Sequence, residues 1–274
     1  MTAKKKILIA LCSVVAVVAI VIATVASTVA YLTSSAAVLN AFTIGNVQMT
    51  MFETKVDSDG KALESGKKTA DTNSYHLVCN KTYTKDPTIY IQPNSESSYL
   101  FIVARNDIRA IEDYNTPSMR EQLFLNGWRE TVDSATGKVY VYTGALDGQD
   151  AADAAAAVAA YDKAITDAET NGTPLTVEQK KANATTRANA LKNICDRRPA
   201  VGVKTTTNVE EIDLFATFKV AADADLSKYG GAEVKVTAVA IQTAGFAEGQ
   251  DVGTDDAISE AWAAVMATYP YIYG

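Results

Sequence analysis

Residues 232–246, AEVKVTAVAIQTAGF, constrain the fold of this chain more than any other stretch. Val234, Val236 and Ala238 alternate with Lys235 and Thr237 before the run turns apolar on both faces. That is the pattern of a strand whose second half is covered from two sides. Thr254 then stands where it can cap a short helix carrying Ile258, Trp262, Val265 and Met266 at helical spacing. A buried late strand leading into a tryptophan-bearing helix needs other strands beside it, and the rest of the chain supplies them.

Between residues 7 and 32 nothing is charged, and Lys4, Lys5 and Lys6 stand in front of the run. Thr28 and Ala30 are small residues at the outer positions of a peptidase site, so residues 1–30 read as an export signal cut between Ala30 and Tyr31. The other reading is an uncleaved membrane anchor, because about 20 apolar residues suffice to span a bilayer. A type IV pilin leader is argued against, since no Gly precedes the run and no Glu follows shortly after its start. The three lysines are the only charges before Glu53, so the exported chain is more acidic than the −7 of the whole. Such a balance disfavours nucleic acid and anionic bilayers as partners, and membrane contact is expected only through the N-terminal segment before cleavage. Cys12 lies in the leader. Cys79 and Cys195 remain, and the compartment allows one disulfide between them without implying it.

Past the cut, Val47, Met49 and Met51 alternate with Gln48 and Thr50, which marks a first strand with one buried face behind a Gly45-Asn46 kink. Residues 54–74 are polar, carry turn pairs at Asp59-Gly60 and Ser65-Gly66, and read as a surface excursion. Two strands follow at 88–92 and 99–105, separated by Pro93-Asn94-Ser95-Glu96. The second is close to continuously apolar and reads as central. Ser134-Ala135-Thr136-Gly137 joins 128–132 to 138–143 as a hairpin, with Val139 and Val141 on one face and Tyr140 and Tyr142 on the other. The tyrosines read either as a contact surface or as packing beneath a loop. The β pattern resumes at 212–220, IDLFATFKV, and ends with 233–243.

Residues 148–198 break this pattern. Eight of the ten residues in 151–160 are alanine, and Asn171-Gly172 is a natural helix stop. Thr176-x-x-Gln179 is a capping box for a second helix that runs to about Cys195, before Pro199. Val158, Tyr161 and Ile165 form one stripe; Ala184, Ala188, Leu191 and Cys195 form the other. Two antiparallel helices packed through small residues are expected, inserted into a β domain as a partner surface or as a tolerated addition at a loop tip. A Cys79–Cys195 bond would staple this hairpin to the sheets.

Three clusters carry a resemblance. Tyr31, Thr33, Asn40, Phe42, Thr43, Gly45 and Val47 follow the cut as an aromatic-Thr-x-Gly strand. Thr82, Lys85, Asp86, Pro87, Ser95, Glu96, Tyr99 and Phe101 form a Lys-Asp-Pro entry to one strand and a polar turn into an aromatic one. Val236-Thr237-Ala238, Ala240-Ile241-Gln242 and Trp262 close the order. Together they resemble the SipW-dependent TasA and camelysin family of secreted bacterial proteins, outside the 148–198 insertion. Cys79-Asn80 departs from it, standing where a Pro-Gly-like turn is expected.

The resemblance implies an all-β fold, a jelly roll or β-sandwich over residues 31–274, to which the residues themselves add the inserted helical hairpin and a short helix near the C-terminus. It implies a protein of the extracellular matrix or cell surface of a Gram-positive bacterium, released by a signal peptidase during export. Such proteins form fibres in which the freed N-terminal strand adds to the next subunit, so the partners are further copies or other matrix proteins. The expected donor is 41–53, with Phe42, Ile44, Gly45, Val47, Met49 and Met51, which serves as the first intrachain strand in a monomer.

Catalysis lacks its groups. Camelysin's association with metalloprotease activity makes zinc the first chemistry to weigh, yet His76 is the only histidine and HExxH does not occur. One histidine with Asp71 or Glu64 is a thin donor set, and His76 reads as a strand-edge residue. A Ser or Cys nucleophile would need the same histidine, and nothing near it reads as a nucleophile elbow. The chain is therefore expected to be no enzyme and to carry no cofactor or metal. The alternative to a fibre subunit is a monomeric or membrane-anchored binding or adhesion module using the hairpin or the Tyr140 and Tyr142 strand; a camelysin-like metalloprotease is the third reading. Deleting the hairpin is expected to spare fibre growth and abolish partner binding. Residues 269–274 show no sortase-type wall signal.

Overall fold

A computed structural model describes residues 31–35, 42–44, 46–64, 66–70, 72–134, 137–246 and 253–272. Residues 1–30, read from the sequence as an export signal, lie outside the described residues, as do Gly45, Asp71 and the side chains of 31–44. The central sheet has the order β2 (Phe42–Ile44), β13 (Val234–Gln242), β8 (Ser98–Asn106), β10 (Gly137–Tyr142), β9 (Trp128–Ser134). β8 is the middle strand, and residues 98–103 are buried without interruption because both of its faces are covered. β13 runs antiparallel to β8 over its full length, from Val234 opposite Asn106 to Gln242 opposite Ser98.

The two faces of this sheet have different neighbours. Leu100, Ile102, Tyr140, Val236, Ala238 and Ala240 share one core with Met49, Met51, Ile89 and Ile91 of a second sheet, whose order is β11 (Glu210–Asp213), β7 (Thr88–Ile91), β3 (Met49–Thr54), β4 (Lys68–Ala70). On the reverse face Tyr99, Phe101, Val139, Val141, Val239 and Ile241 are sealed by Ile258, Ala261, Trp262 and Val265. These last four lie on the final helix (Asp255–Thr268), whose N-cap Thr254 accepts from the Ala257 amide at 3.4 Å. Phe101 and Trp262 meet with ring centroids 5.3 Å apart. Each fully buried side chain of this kind is worth about 1.5–3 kcal/mol, so the helix is an integral layer. Two small pairs complete the strands among the described residues: β1 (Tyr31–Ser35) with β5 (Thr72–His76), and β6 (Thr82–Thr84) with β12 (Thr217–Lys219).

The architecture is not all-β. Among the described residues four helices, α1 (Met119–Leu125), α2 (Gly148–Thr170), α3 (Val177–Asp196) and the C-terminal helix, now α4, bring helical content level with strand content. Sheets stacked across a shared core give a sandwich-like body with a helix on one outer face. Two local expectations are corrected. IDLFATFKV is two short strands in two different sheets, because Leu214 and Phe215 turn into the core between them. The polar excursion at 54–74 contains β4 and the start of β5 and buries Val56, Ala70 and Asn73. The 119–125 segment is a helix begun by a capping box, in which Ser118 accepts from the Glu121 amide while the Glu121 carboxylate accepts from the Ser118 amide at 2.8 Å. At the Cys79-Asn80 departure the chain still turns: Asn80 takes φ 60, a conformation that asparagine tolerates better than most side chains.

The hairpin is built into the body. α2 and α3 lie against each other, and Leu191, Ile194 and Cys195 of α3 together with Ala154 of α2 enter the main core. Arg187 is the unexpected member of the α3 stripe. It is buried, with its guanidinium bonded to Glu121 of α1 at 2.7 and 3.2 Å and to the Thr116 carbonyl at 2.9 Å, over the ring of Tyr161 at 4.4 Å. A loop-tip addition would not supply core residues, so removing 148–198 would strip one side of the body and cannot serve as a neutral deletion.

Candidate assembly edge and its surroundings

The expected donor, 41–53, is divided by the fold. Phe42, Thr43 and Ile44 form β2, parallel to Val239, Ala240 and Ile241 at the edge of the central sheet. Among the described residues no strand pairs with the 234–238 part of β13 on that side. Val47 is buried, and Met49 and Met51 lie in β3 of the other sheet, opposite Ile91 and Ile89 of β7. The crossing between sheets is held by backbone bonds to the β7–β8 turn: Gln92 N–H to Gln48 O at 2.8 Å and Glu96 N–H to Asn46 O at 3.1 Å. Ser95 Oγ adds an acceptor for the Gln48 amide at 3.1 Å.

This division separates what can leave from what cannot. Pulling out β3 would uncover Met49, Met51, Ile89 and Ile91 and break up a buried ion cluster described below; the core penalty alone is several kcal/mol. β1 and β2 are attached by strand pairing at edges. β1 runs antiparallel to β5, from Tyr31 opposite His76 to Ser35 opposite Thr72, and passes close to β13. A segment held by ladder bonds along an edge can be exchanged for the same segment of another copy at little net cost.

The other sequence candidates scatter. His76 ends β5 opposite Tyr31. Glu64 is exposed and pairs with Lys67 at 3.0 Å. Among the described residues no group of three His, Cys, Asp or Glu side chains is placed to hold a metal. Tyr140 is buried on the inner face, its ring 6.3 Å from that of Phe124, and Tyr142 packs at 5.2 Å on Trp128. Neither is an outward contact surface.

Cys79 and Cys195 are not bonded to each other; both are free thiols. The Cys79 sulfur donates to the Ala224 carbonyl and the Cys195 sulfur to the Phe124 carbonyl. Cys195 belongs to the main core whereas Cys79 is only partly buried, and burial pushes the Cys195 thiol up to about 12. An open cleft of about 270 Å³ lies between β8, β10 and α1, with Arg105, Arg109, Arg120 and Lys138 around Tyr140. Glu130 pairs with both Arg120 and Lys138, and Asp107 with Arg105.

One constellation was invisible to chain-order reasoning because its members lie far apart in sequence. Glu53 follows Met49 and Met51 in phase on the inward face of β3 and is fully buried. Its carboxylate accepts from Lys85 Nζ at 2.9 Å and from Asn73 Nδ2 at 2.8 Å, and both of those side chains are buried as well. The next residue pair repeats the theme nearer the surface, where Asp86 accepts from the Thr54 amide at 2.8 Å and the Thr54 hydroxyl at 2.7 Å. The Lys-Asp-Pro run thus ties the β6–β7 connection to the end of β3. A charge in phase with buried residues was the available signal at Glu53. Asn73 gave none. No membrane-length apolar helix occurs among the described residues. Set against family models, curated proteins and solved structures, the chain matches none.

Proposed function

We propose that this chain is a secreted structural protein of a biofilm matrix or bacterial cell surface, TasA-like in its jelly-roll or sandwich body, which forms fibres by donating its N-terminal segment to the next subunit. One observation carries the reading. Residues 31–35 and 42–44 attach at sheet edges by backbone pairing, whereas from Val47 onward the chain is locked into the core. The donor is therefore residues 31–44 and excludes β3, which is narrower than the sequence suggests. Strand addition supplies main-chain hydrogen bonds without a specialised site, and it needs neither metal nor cofactor. Release by a signal peptidase at Ala30 would set the donor free.

The test combines N-terminal sequencing of the extracellular product with electron microscopy and sedimentation of the same fraction. The product is expected to begin at Tyr31 and to form fibres, and a mature form lacking 31–44 is expected to stay monomeric while keeping its fold. Assembly of the truncated form at the full-length rate would sink the donor idea. A second reading, a monomeric or membrane-anchored binding module, is supported by the basic cleft around Tyr140. It predicts a folded monomer with or without residues 31–44.

A further inference from the structure

Lys85, Glu53 and Asn73 bring an amine, a carboxyl group and a carboxamide together in one buried cluster. Their residues are 1%, 0% and 4% exposed. The two oxygens of Glu53 are shared out, one to Lys85 Nζ and the other to Asn73 Nδ2. The Asn73 carboxamide is held at both ends: Nδ2 also donates to the Thr54 carbonyl at 2.8 Å, and Oδ1 accepts from the Val56 amide at 3.0 Å. An aromatic block of Tyr75, Tyr83 and Phe218, with centroids 4.9–5.7 Å apart, adjoins it, since Tyr75 follows Asn73 on the inward face of β5.

A buried ion pair with a carboxamide bonded to it is also what a purely structural cluster would contain. Three features point further. The Asn73 carbonyl is polarised by a fixed backbone donor, aimed where charge would build if its carbon were attacked. The shared carboxyl group touches both the nucleophile and the prospective leaving nitrogen, so a single residue can take a proton from one and give it to the other. Burial also lowers the Lys85 pKa from its ordinary value against the opposing pull of Glu53, which favours a neutral amine.

We propose that this cluster closes an intramolecular amide bond between Lys85 Nζ and Asn73 Cγ, with Glu53 carrying the protons. The Lys85 ammonium first passes a proton to Glu53. The neutral amine adds to Cγ, and the oxygen takes negative charge under the Val56 N–H. Glu53 gives its proton to Nδ2 and receives one from the attacking nitrogen. The Cγ–Nδ2 bond then breaks as the carbonyl reforms, and ammonia departs, taking the proton left on Glu53 to leave as ammonium. One C–N bond forms and one breaks; nothing is oxidised or reduced, and no further reactant enters. The reaction happens once per chain, so it is compatible with a protein that turns nothing over. It links β5 to the β6–β7 connection and holds whether or not the chain forms fibres.

The experiment is intact-mass analysis of the folded, exported protein, followed by peptide mapping. The mass is expected about 17 Da below that of the sequence from its own N-terminus, the loss of one ammonia, with a branched peptide joining residues 73 and 85. The link is expected to survive boiling in denaturant. Glu53→Gln is expected to keep the full mass, and an Asn73→Asp chain that closes the bond is expected to lose about 18 Da, as water. A wild-type chain that stays at its full sequence mass after prolonged incubation in the folded state overturns the proposal. So does a loss of about 17 Da that maps to any other residue, or a link from Lys85 to Glu53 in place of Asn73. The wild-type measurement decides even where a variant fails to fold.

Discussion

Replacing Arg187 with alanine tests whether the helical hairpin is a structural layer or an appendage. Arg187 sits in the middle of α3, 3% exposed, and its loss removes two bonds to Glu121, one to the Thr116 carbonyl and the cation–ring contact with Tyr161. What remains is worse than a cavity, because Glu121 is itself 3% exposed and would keep only its local contacts with Ser118. Breaking a buried pair from one side costs about 3–5 kcal/mol, most of it the uncompensated charge. A desolvated cation–π contact is worth up to about 2 kcal/mol, part of the same loss. The expected fall in unfolding free energy is therefore roughly 3–5 kcal/mol, a large share of the total for a domain. Urea titration followed by far-ultraviolet circular dichroism and tryptophan fluorescence measures it, Trp128 reporting from the inner core. The double variant Arg187→Met with Glu121→Gln is expected to regain a good part of the loss, since neither charge is then stranded. A loss below about 1 kcal/mol for Arg187→Ala, or a double variant no better than the sum of the singles, would refute the reasoning.

Two further outcomes are expected. In the native state without reductant a thiol reagent should label Cys79 and leave Cys195, which is fully buried with its pKa pushed up to about 12, whereas urea should release both; labelling of neither thiol in urea would mean that the two are oxidised. Burial also lifts the Glu112 carboxyl from the ordinary 4.5 to about 7, although the Met119 amide and Asn106 both bond to it. A folded pKa above the unfolded one means that the stabilisation is complete below 4.5 and is lost as pH rises towards 7, with an upper bound of roughly 3 kcal/mol. Stability should therefore fall between pH 5 and 7, and Glu112→Gln should flatten that slope; an unchanged slope in the variant would assign the loss to other groups.

What the chain determined by itself was local. Alternation at Val234, Val236 and Ala238 marked β13, the near-continuous apolar run marked β8 as central, and Thr254 and the Thr176 and Gln179 pair marked helix starts. These signals act within a few residues, through side-chain period and backbone caps, so they need no knowledge of neighbours. The capping box at Ser118 and Glu121 was equally legible and marks α1. Tertiary structure decided the rest. It split 41–53 between two sheets, turned Tyr140 inward, gave 212–220 to two different strand pairs and put Arg187 into a buried pair. It alone brought Asn73 and Lys85 to the two oxygens of Glu53, residues 20 and 32 positions away along the chain. Period and propensity report which face a residue takes, but which distant residue lies opposite depends on how sheets stack and where crossings are pinned. That information is carried by the packing of the whole body and not by any window of sequence.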